Sequence, residues 1–468
     1  MKGSALKTNK RALLMRRSDI DPTEGPLPSS IIAFSIPIIL SNVFSALYHS
    51  ADMMVLNWFS VGKEVAAVGA STTITNLLLN VAIGLGTGGT VLLSRLFGRK
   101  DEKQAERAIS TMILFALALG VAVALIGAPI MRPFLRWTSC PADCVDDAAL
   151  YSVVYTLGMP FYLLYGYIAG AIRVSGDSKN PLLFMIIGGC ANVVLNVVFC
   201  LIFPRKVLAV ALATVLSNAL SAVLCLRLLM KSKGICRFSP KRLYFDFSVI
   251  GQLFRYGIPS AVTAALYPIA NLQMQTAINS FGASAIAGNT AAIQYENFCA
   301  NLANGLNGGV TTFVGQNMGA GKKERVFRSF YWVLILEFIA MLALSIVIFT
   351  FGAPLLSLFA GSDAAAIEVG LLRMQYVQII YFIVLNPFPA TITSMGFPAL
   401  QTAISLIGIC GLRTVWMQFI YDTPLLPASI NSVYLCFPAT IVITQLSLGI
   451  ACAVLLSRYK KDKLKEKI

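Results

Sequence analysis

The chain has 468 residues, of which 57% are hydrophobic and only 12% charged, and its mean hydropathy is +0.75. Soluble domains run at roughly 25% charged residues, so this composition excludes an ordinary water-soluble fold. The formal net charge of +16 invites a nucleic-acid reading, but the placement of the cations excludes it.

In chain order, residues 1–27 form a basic tail without an apolar core or a small-residue cleavage site, read as a retained cytosolic segment and not a signal peptide. Apolar runs of about 20 residues then recur, each long enough to cross a bilayer as a helix. Spans are predicted at 30–57, 65–93, 108–130, 148–172, 181–203 and 208–229, and again at 252–279, 286–315, 329–351, 367–392, 400–420 and 429–457. The expected fold is therefore an all-α integral membrane protein of about twelve helices. Alternate connections carry almost all the Lys and Arg residues; the opposite loops hold only Lys63, Arg132, Arg136, Arg205 and Lys206. By the positive-inside rule both termini face the cytoplasm. The positive charge is an orientation signal, and no nucleic-acid partner is expected.

The chain repeats itself. "YGIPSAVTAALYPIANLQ" in the second half follows the pattern of "FSIPIILSNVFSALYHSAD" in the first, and "GLNGGVTTFVGQNMGAGKKERVFR" that of "GLGTGGTVLLSRLFGRKDEKQAER". Six spans per half is an even number, so both halves enter the membrane in the same direction, as in transporters built from parallel repeats. The domain reading is a six-helix lobe at 28–229, a basic linker at 230–249, a second lobe at 250–457 and a basic tail at 458–468. The glycines Gly84, Gly86, Gly88 and Gly89, with Gly305, Gly308 and Gly309, are read as sites of close helix approach. Pro37, Pro259, Pro268, Pro387 and Pro389 mark expected bends.

Charged residues inside spans are functional candidates. Asp52 lies in "SALYHSADMMVLNWF", about two turns inside Trp58, where an interfacial aromatic belt is expected. His49, the only histidine, sits three residues earlier on the same helical face. A carboxylate with an adjacent imidazole is suited to carrying a proton. In the second half Glu296 and Arg373 enter their spans from the same side at similar depth and are expected to pair. Glu337 is read as structural. Gln273, Gln294 and Gln378, with Tyr48 and Tyr165, are candidates for lining a substrate cavity; aromatic rings there would offer cation–π contacts. The ten cysteines fall mostly within spans as small apolar residues. Only Cys140 and Cys144 share a loop, and whether they form a disulfide is left open.

The "IP…D" first span, the "AAVGAS" opening of the second, the glycine run ending in a basic loop, and "GDSKNPLLFMIIGGCANVVLNVVF" together resemble the multidrug and toxic compound extrusion (MATE) transporters over about residues 28–457. The resemblance implies two six-helix lobes around a central cavity. It also implies exchange of H⁺ or Na⁺ for lipophilic, often cationic, drugs by alternating access. Asp52 falls where the family carries an acidic residue used for cation coupling. Asn192 and Asn196 stand where some members carry a second carboxylate on the fifth helix, and the seventh helix lacks the acid found in others.

No "GxxxxGK[ST]" loop is present for ATP, no clustered histidines for a metal, and no nucleophile–base set, so an enzyme is not expected and no cofactor is called. A channel fits the two-lobe repeat less well than alternating access. A lipid-linked precursor or polysaccharide flippase of related fold is the second reading; such a cavity would be strongly cationic, and only Arg373 and Arg413 lie deep in spans. The expectation is a cation-coupled multidrug antiporter in the inner membrane of a bacterium. Its partners would be a small-molecule substrate, H⁺ or Na⁺ and membrane lipid, with a monomer sufficient.

Overall fold

In the hydrocarbon core there is no water to satisfy backbone N–H and C=O groups, so a span must be helical whatever its side-chain propensities. Even the β-branched-rich "ANVVLNVVFCLI" is therefore helix. The computed structural model describes residues 20–60, 62–137, 144–232, 236, 238–241, 243–383, 387–424 and 426–461. Among them the protein is all-α, with one isolated bridge between Thr423 and Leu426.

The helices run in order as α1 (Leu27–Phe59), α2 (Gly62–Gly98), α3 (Glu102–Trp137), α4 (Val145–Leu157), α5 (Met159–Val174), α6 (Lys179–Ile202), α7 (Lys206–Lys231), α8 (Phe247–Asn279), α9 (Ala283–Gly319), α10 (Lys323–Ala360), α11 (Ala364–Ile383), α12 (Pro387–Ser394) and α13 (Pro398–Ser405). Then come α14 (Leu412–Val415), flanked by π-helical stretches Leu406–Gly411 and Trp416–Ile420, and α15 (Ile430–Lys460). Taking α4 with α5, α11 with α12, and Pro398–Ile420 as one passage each gives the twelve-helix architecture of a multi-pass membrane protein.

Two passages differ from the sequence expectation of plain spans. The predicted span 148–172 is broken between Leu157 and Met159 and bent by 45°. Pro160 removes a backbone donor there. The break also lets α3 come close: a Cβ on Gly120 would lie 2.4 Å from the Pro160 Cα. The predicted span 400–420 is largely π-helical, a widened geometry that concentrates at functional positions. In α10, Phe351 leaves helical geometry three residues before Pro354.

The chain divides into two compact units. The first contains residues 1–79 and 92–250, the second 80–91 and 251–468. In the first, α1 packs on α6 and α7, α3 on α4 and α5, and α4 and α5 on α7. In the second, α9 packs on α10, α11 and α12, while α15 packs on α11 and α12. The glycine run of α2 belongs to the second unit and meets α8 backbone to backbone. A Cβ on Gly84 would stand 2.6 Å from the Ala261 Cα, and one on Gly257 2.5 Å from the Leu85 carbonyl oxygen.

The internal repeat reappears in detail at the ends of α2 and α9. Asp101 N donates to Leu96 O at 3.2 Å, and Lys322 N to Asn317 O at 2.9 Å. Both are the closing bond of a Schellman turn. The left-handed residue of the turn is Gly321 in one half and Lys100, at φ 56°, in the other. Outside the apolar stretches, carboxylates cap helix starts. Asp177 accepts from the Asn180 backbone N–H at 3.1 Å, and Asp363 from Ala365 at 3.0 Å. The Ser284 hydroxyl and the backbone N–H groups of Ala366 and Ala365 hold the Asp363 carboxyl below the usual carboxylate range.

Candidate functional site

Asp52 is 3% exposed and sits seven residues before the end of α1, facing α6 and α7. Asn196 Nδ2 donates to its Oδ1 at 2.6 Å, and the Thr214 hydroxyl lies 3.0 Å from its Oδ2. Asn196 Nδ2 also donates to Asn192 Oδ1 at 3.1 Å. Asn196 and Thr214 are 144 and 162 positions away in the chain; packing of α6 and α7 on α1 brings them to Asp52, and Asn192 joins them because it lies one turn from Asn196 on α6.

Two features make this more than a buried polar contact. Among the described residues, Asn192 Nδ2 and Asn196 Oδ1 are buried without a hydrogen-bond partner, an arrangement native interiors normally avoid. The Thr214 hydroxyl also lies 2.9 Å from Val210 O, yet it has one hydrogen to give. If the hydrogen goes to Val210, a proton on Asp52 Oδ2 completes the contact with Thr214 Oγ. If it goes to Asp52, the carboxylate is ionised. The cluster can thus accept a proton without rearranging heavy atoms. It can equally offer a monovalent cation the oxygens of Asp52, Asn196 and Thr214.

Tyr48, one turn before Asp52, is half-buried; its hydroxyl pairs with Ser217 Oγ and lies 3.3 Å from Thr214 O. Tyr151 and Tyr155 of α4, stacked 5.9 Å apart, complete the surroundings. Thr214, Ser217 and the two tyrosines were not expected from the sequence. The signal was there: Thr214, Ser217 and Ser221 recur at three- and four-residue spacing in the otherwise apolar α7, and all are buried. The other first-half candidates divide. Tyr165 is buried, its hydroxyl donating to Pro181 O at 3.1 Å and so tying α5 to the start of α6. The side chain of His49 and residue Cys140 lie outside what is described. Cys144 is buried, its thiol 3.7 Å from Lys63 O.

In the second unit Arg373 Nε and Nη2 grip the two oxygens of Glu296, the latter at 2.8 Å, and Nη1 donates to Asn289 Oδ1 at 2.6 Å. Tyr434 donates to the same Asn289 oxygen at 3.2 Å. Glu296 also lines a shallow recess, with room for about one water molecule, together with Ala292, Tyr295, Cys299, Ile348, Met374 and Val377. Gln273 is exposed and accepts from Thr414 at 3.2 Å. Gln294 is exposed on α9. The Gln378 side chain lies outside what is described. Glu337 is fully buried on α10.

Comparison with known proteins places this geometry in context. The MatE family model matches residues 37–202 and 259–417. A probable multidrug resistance protein of Bacillus subtilis, YoeA, is 27% identical over 393 residues, covering 82% of this chain and 85% of the relative. The multidrug export protein MepA of Staphylococcus aureus strain N315 is 22% identical, over 74% and 76% of the two chains. Among solved structures, a MATE protein in its bent conformation superposes with a TM-score of 0.86 at 18% identity, over 96% of this chain and all of the other. A MOP superfamily transporter from Pyrococcus furiosus, described as having a binding pocket of reverse polarity, does so with a TM-score of 0.84 at 19% identity, over 95% and 99%.

Proposed function

Because this chain belongs to the MatE family, whose relatives above are multidrug resistance and export proteins, we propose that it is a cation-coupled antiporter. It exports lipophilic, cationic compounds in exchange for H⁺ or Na⁺. The carrying observation is the buried Asp52 among Asn192, Asn196 and Thr214, with unsatisfied amide groups beside a carboxylate.

Asp52 holds the coupling cation in one step and releases it in another. Its single negative charge is neutralised either by the ion or by the positive group of the substrate, so one occupant disfavours the other. Each ligand shifts the protein only by its differential affinity for the inward- and outward-open states. Asn196 and Thr214 lower the cost of the ion-free carboxylate through hydrogen bonds, which allows the ion to leave. The two lobes read from the sequence as 28–229 and 250–457 are the moving bodies of alternating access, with the glycine run 80–91 of α2 counted with the second. Gln273, Gln294, Glu296, Arg373, Gln378, Tyr48 and Tyr165 remain the candidates for substrate contact. The protein works as a monomer in the bacterial inner membrane with both termini in the cytoplasm, as the basic residues of alternate loops direct.

The test is efflux of a fluorescent lipophilic cation from liposomes containing the purified protein. Inward gradients of H⁺ and of Na⁺ are imposed one at a time. Efflux driven by one gradient supports antiport and names the ion. Export that needs neither gradient, or movement only of lipid-linked substrates, overturns it.

A further inference from the structure

Arg413, like Asp52 in the first unit, is a buried charge whose hydrogen bond goes to a neutral group. It is 3% exposed. Its Nη1 donates to a neutral acceptor, Asn271 Oδ1, at 2.6 Å, and its buried Nε has no hydrogen-bond partner among the described residues. Among the described residues, the titratable groups that face it are Tyr267 from α8, Cys410 from its own passage, Cys436 from α15 and Arg373 from α11, none of them a carboxylate. Arg373 and Arg413 both lie 4.8 Å from the centre of the Phe437 ring. One acid, Glu296, is gripped by Arg373. Among the described residues the local charges are therefore two guanidinium groups and one carboxylate.

A guanidinium cannot escape by losing its proton, and a buried ion without a counter-charge is penalised by its lost hydration. Contact with the Phe437 face and the bond to Asn271 offset part of that penalty. Neither supplies the missing charge. The edge left open is the one that includes Nε, the same edge with which Arg373 binds Glu296 bidentately. That fork matches a carboxylate. Arg413 also sits on the one turn of α-helix between two π-helical stretches, an irregularity frequent at functional sites.

We propose that Arg413 is an anion-binding residue, taking a single negative charge from a carboxylate or a halide ion. The carboxylate would belong to an organic ligand; the halide would be free chloride. The site lies within the second unit, and its existence does not depend on the coupling role of Asp52.

The experiment is calorimetric titration of the full-length protein in detergent, in halide-free buffer at constant Na⁺, with sodium benzoate and with sodium chloride separately. The wild type is expected to bind one anion saturably. Arg413→Lys, which keeps the charge but loses the fork, should weaken benzoate at least tenfold, and Arg413→Gln should abolish binding. Asp52→Asn should bind the anion as the wild type does, which separates this claim from the antiport reading. Saturation by chloride supports a free-ion site; saturation by benzoate alone supports a ligand carboxylate. No saturable binding of either anion by the wild type, equal benzoate binding by wild type and Arg413→Lys, or equal chloride binding by wild type and Arg413→Gln would overturn the proposal. Arg413→Lys carries the test even if Arg413→Gln fails to fold.

Discussion

Replacing Asn196 by alanine probes the candidate site with a sign that depends on the ion. The change removes the 2.6 Å bond to Asp52 Oδ1 and the 3.1 Å bond to Asn192. A hydrogen bond to a charged acceptor contributes about 1.5–3 kcal/mol and one to a neutral acceptor about 0.5–1.5. The ionised carboxylate therefore loses roughly 1–1.5 kcal/mol more than the protonated one, a factor of about five to ten. If H⁺ is the coupling ion, half-maximal efflux in Asn196→Ala should occur at a five- to tenfold lower proton concentration, with slower turnover because the proton leaves less readily. If Na⁺ is the ion, the variant also loses the unsatisfied Asn196 oxygen as a ligand, and half-saturation should move to higher Na⁺. The assay is initial efflux rate against graded external H⁺ or Na⁺, on protein shown to be monodisperse. An unchanged half-saturation for both ions would refute the reasoning that Asn196 tunes Asp52.

Other expectations concern the scaffold. Glu296→Gln should lower thermal stability in detergent by the equivalent of about 3 kcal/mol, because it leaves Arg373 buried without its counter-charge. The double variant with Arg373→Met should recover more than half of that loss; strict additivity would deny the coupling. Gly288→Leu should destabilise the second unit by about 1–3 kcal/mol or more. Its first added carbon alone would stand 2.0 Å from Ala366 O where α9 crosses α11; an unfolding midpoint equal to wild type would show that the crossing relaxes freely. Lys100→Gly should raise stability by about 1 kcal/mol, since Lys100 holds a left-handed conformation that its counterpart Gly321 adopts without strain. A lower midpoint would contradict the strain argument.

The helices were legible because a bilayer imposes a length and a polarity on every span, and apolar runs register both. The bend at Gly158–Pro160 was not read: Pro160 was not among the prolines expected to bend a span, and the close approach of Gly120 on α3 to Pro160 is a tertiary contact. The π-helical stretches around Arg413 leave no mark in hydropathy at all. Asp52 announced itself as a charge in an apolar run, and Asn192 and Asn196 as amides at an acidic position. Thr214 escaped because hydroxyls are common in apolar helices, and its importance depends on an approach of 3.0 Å to a residue 162 positions away. Glu296 and Arg373 could be matched by depth and sign. Asn289 and Asn271, which complete the two arginine environments, could not, because neutral amides carry no charge by which to pair them.

The central claim is that the charge of Asp52 couples ion to substrate. Gradient-driven efflux by Asp52→Asn tests it most directly, measured beside substrate-for-substrate exchange in the same liposomes with no ion gradient. Asparagine keeps the shape and cannot ionise. The account predicts that efflux driven by the wild type's ion is lost and that uphill accumulation disappears with it. Gradient-driven efflux at the wild-type rate in Asp52→Asn would contradict it.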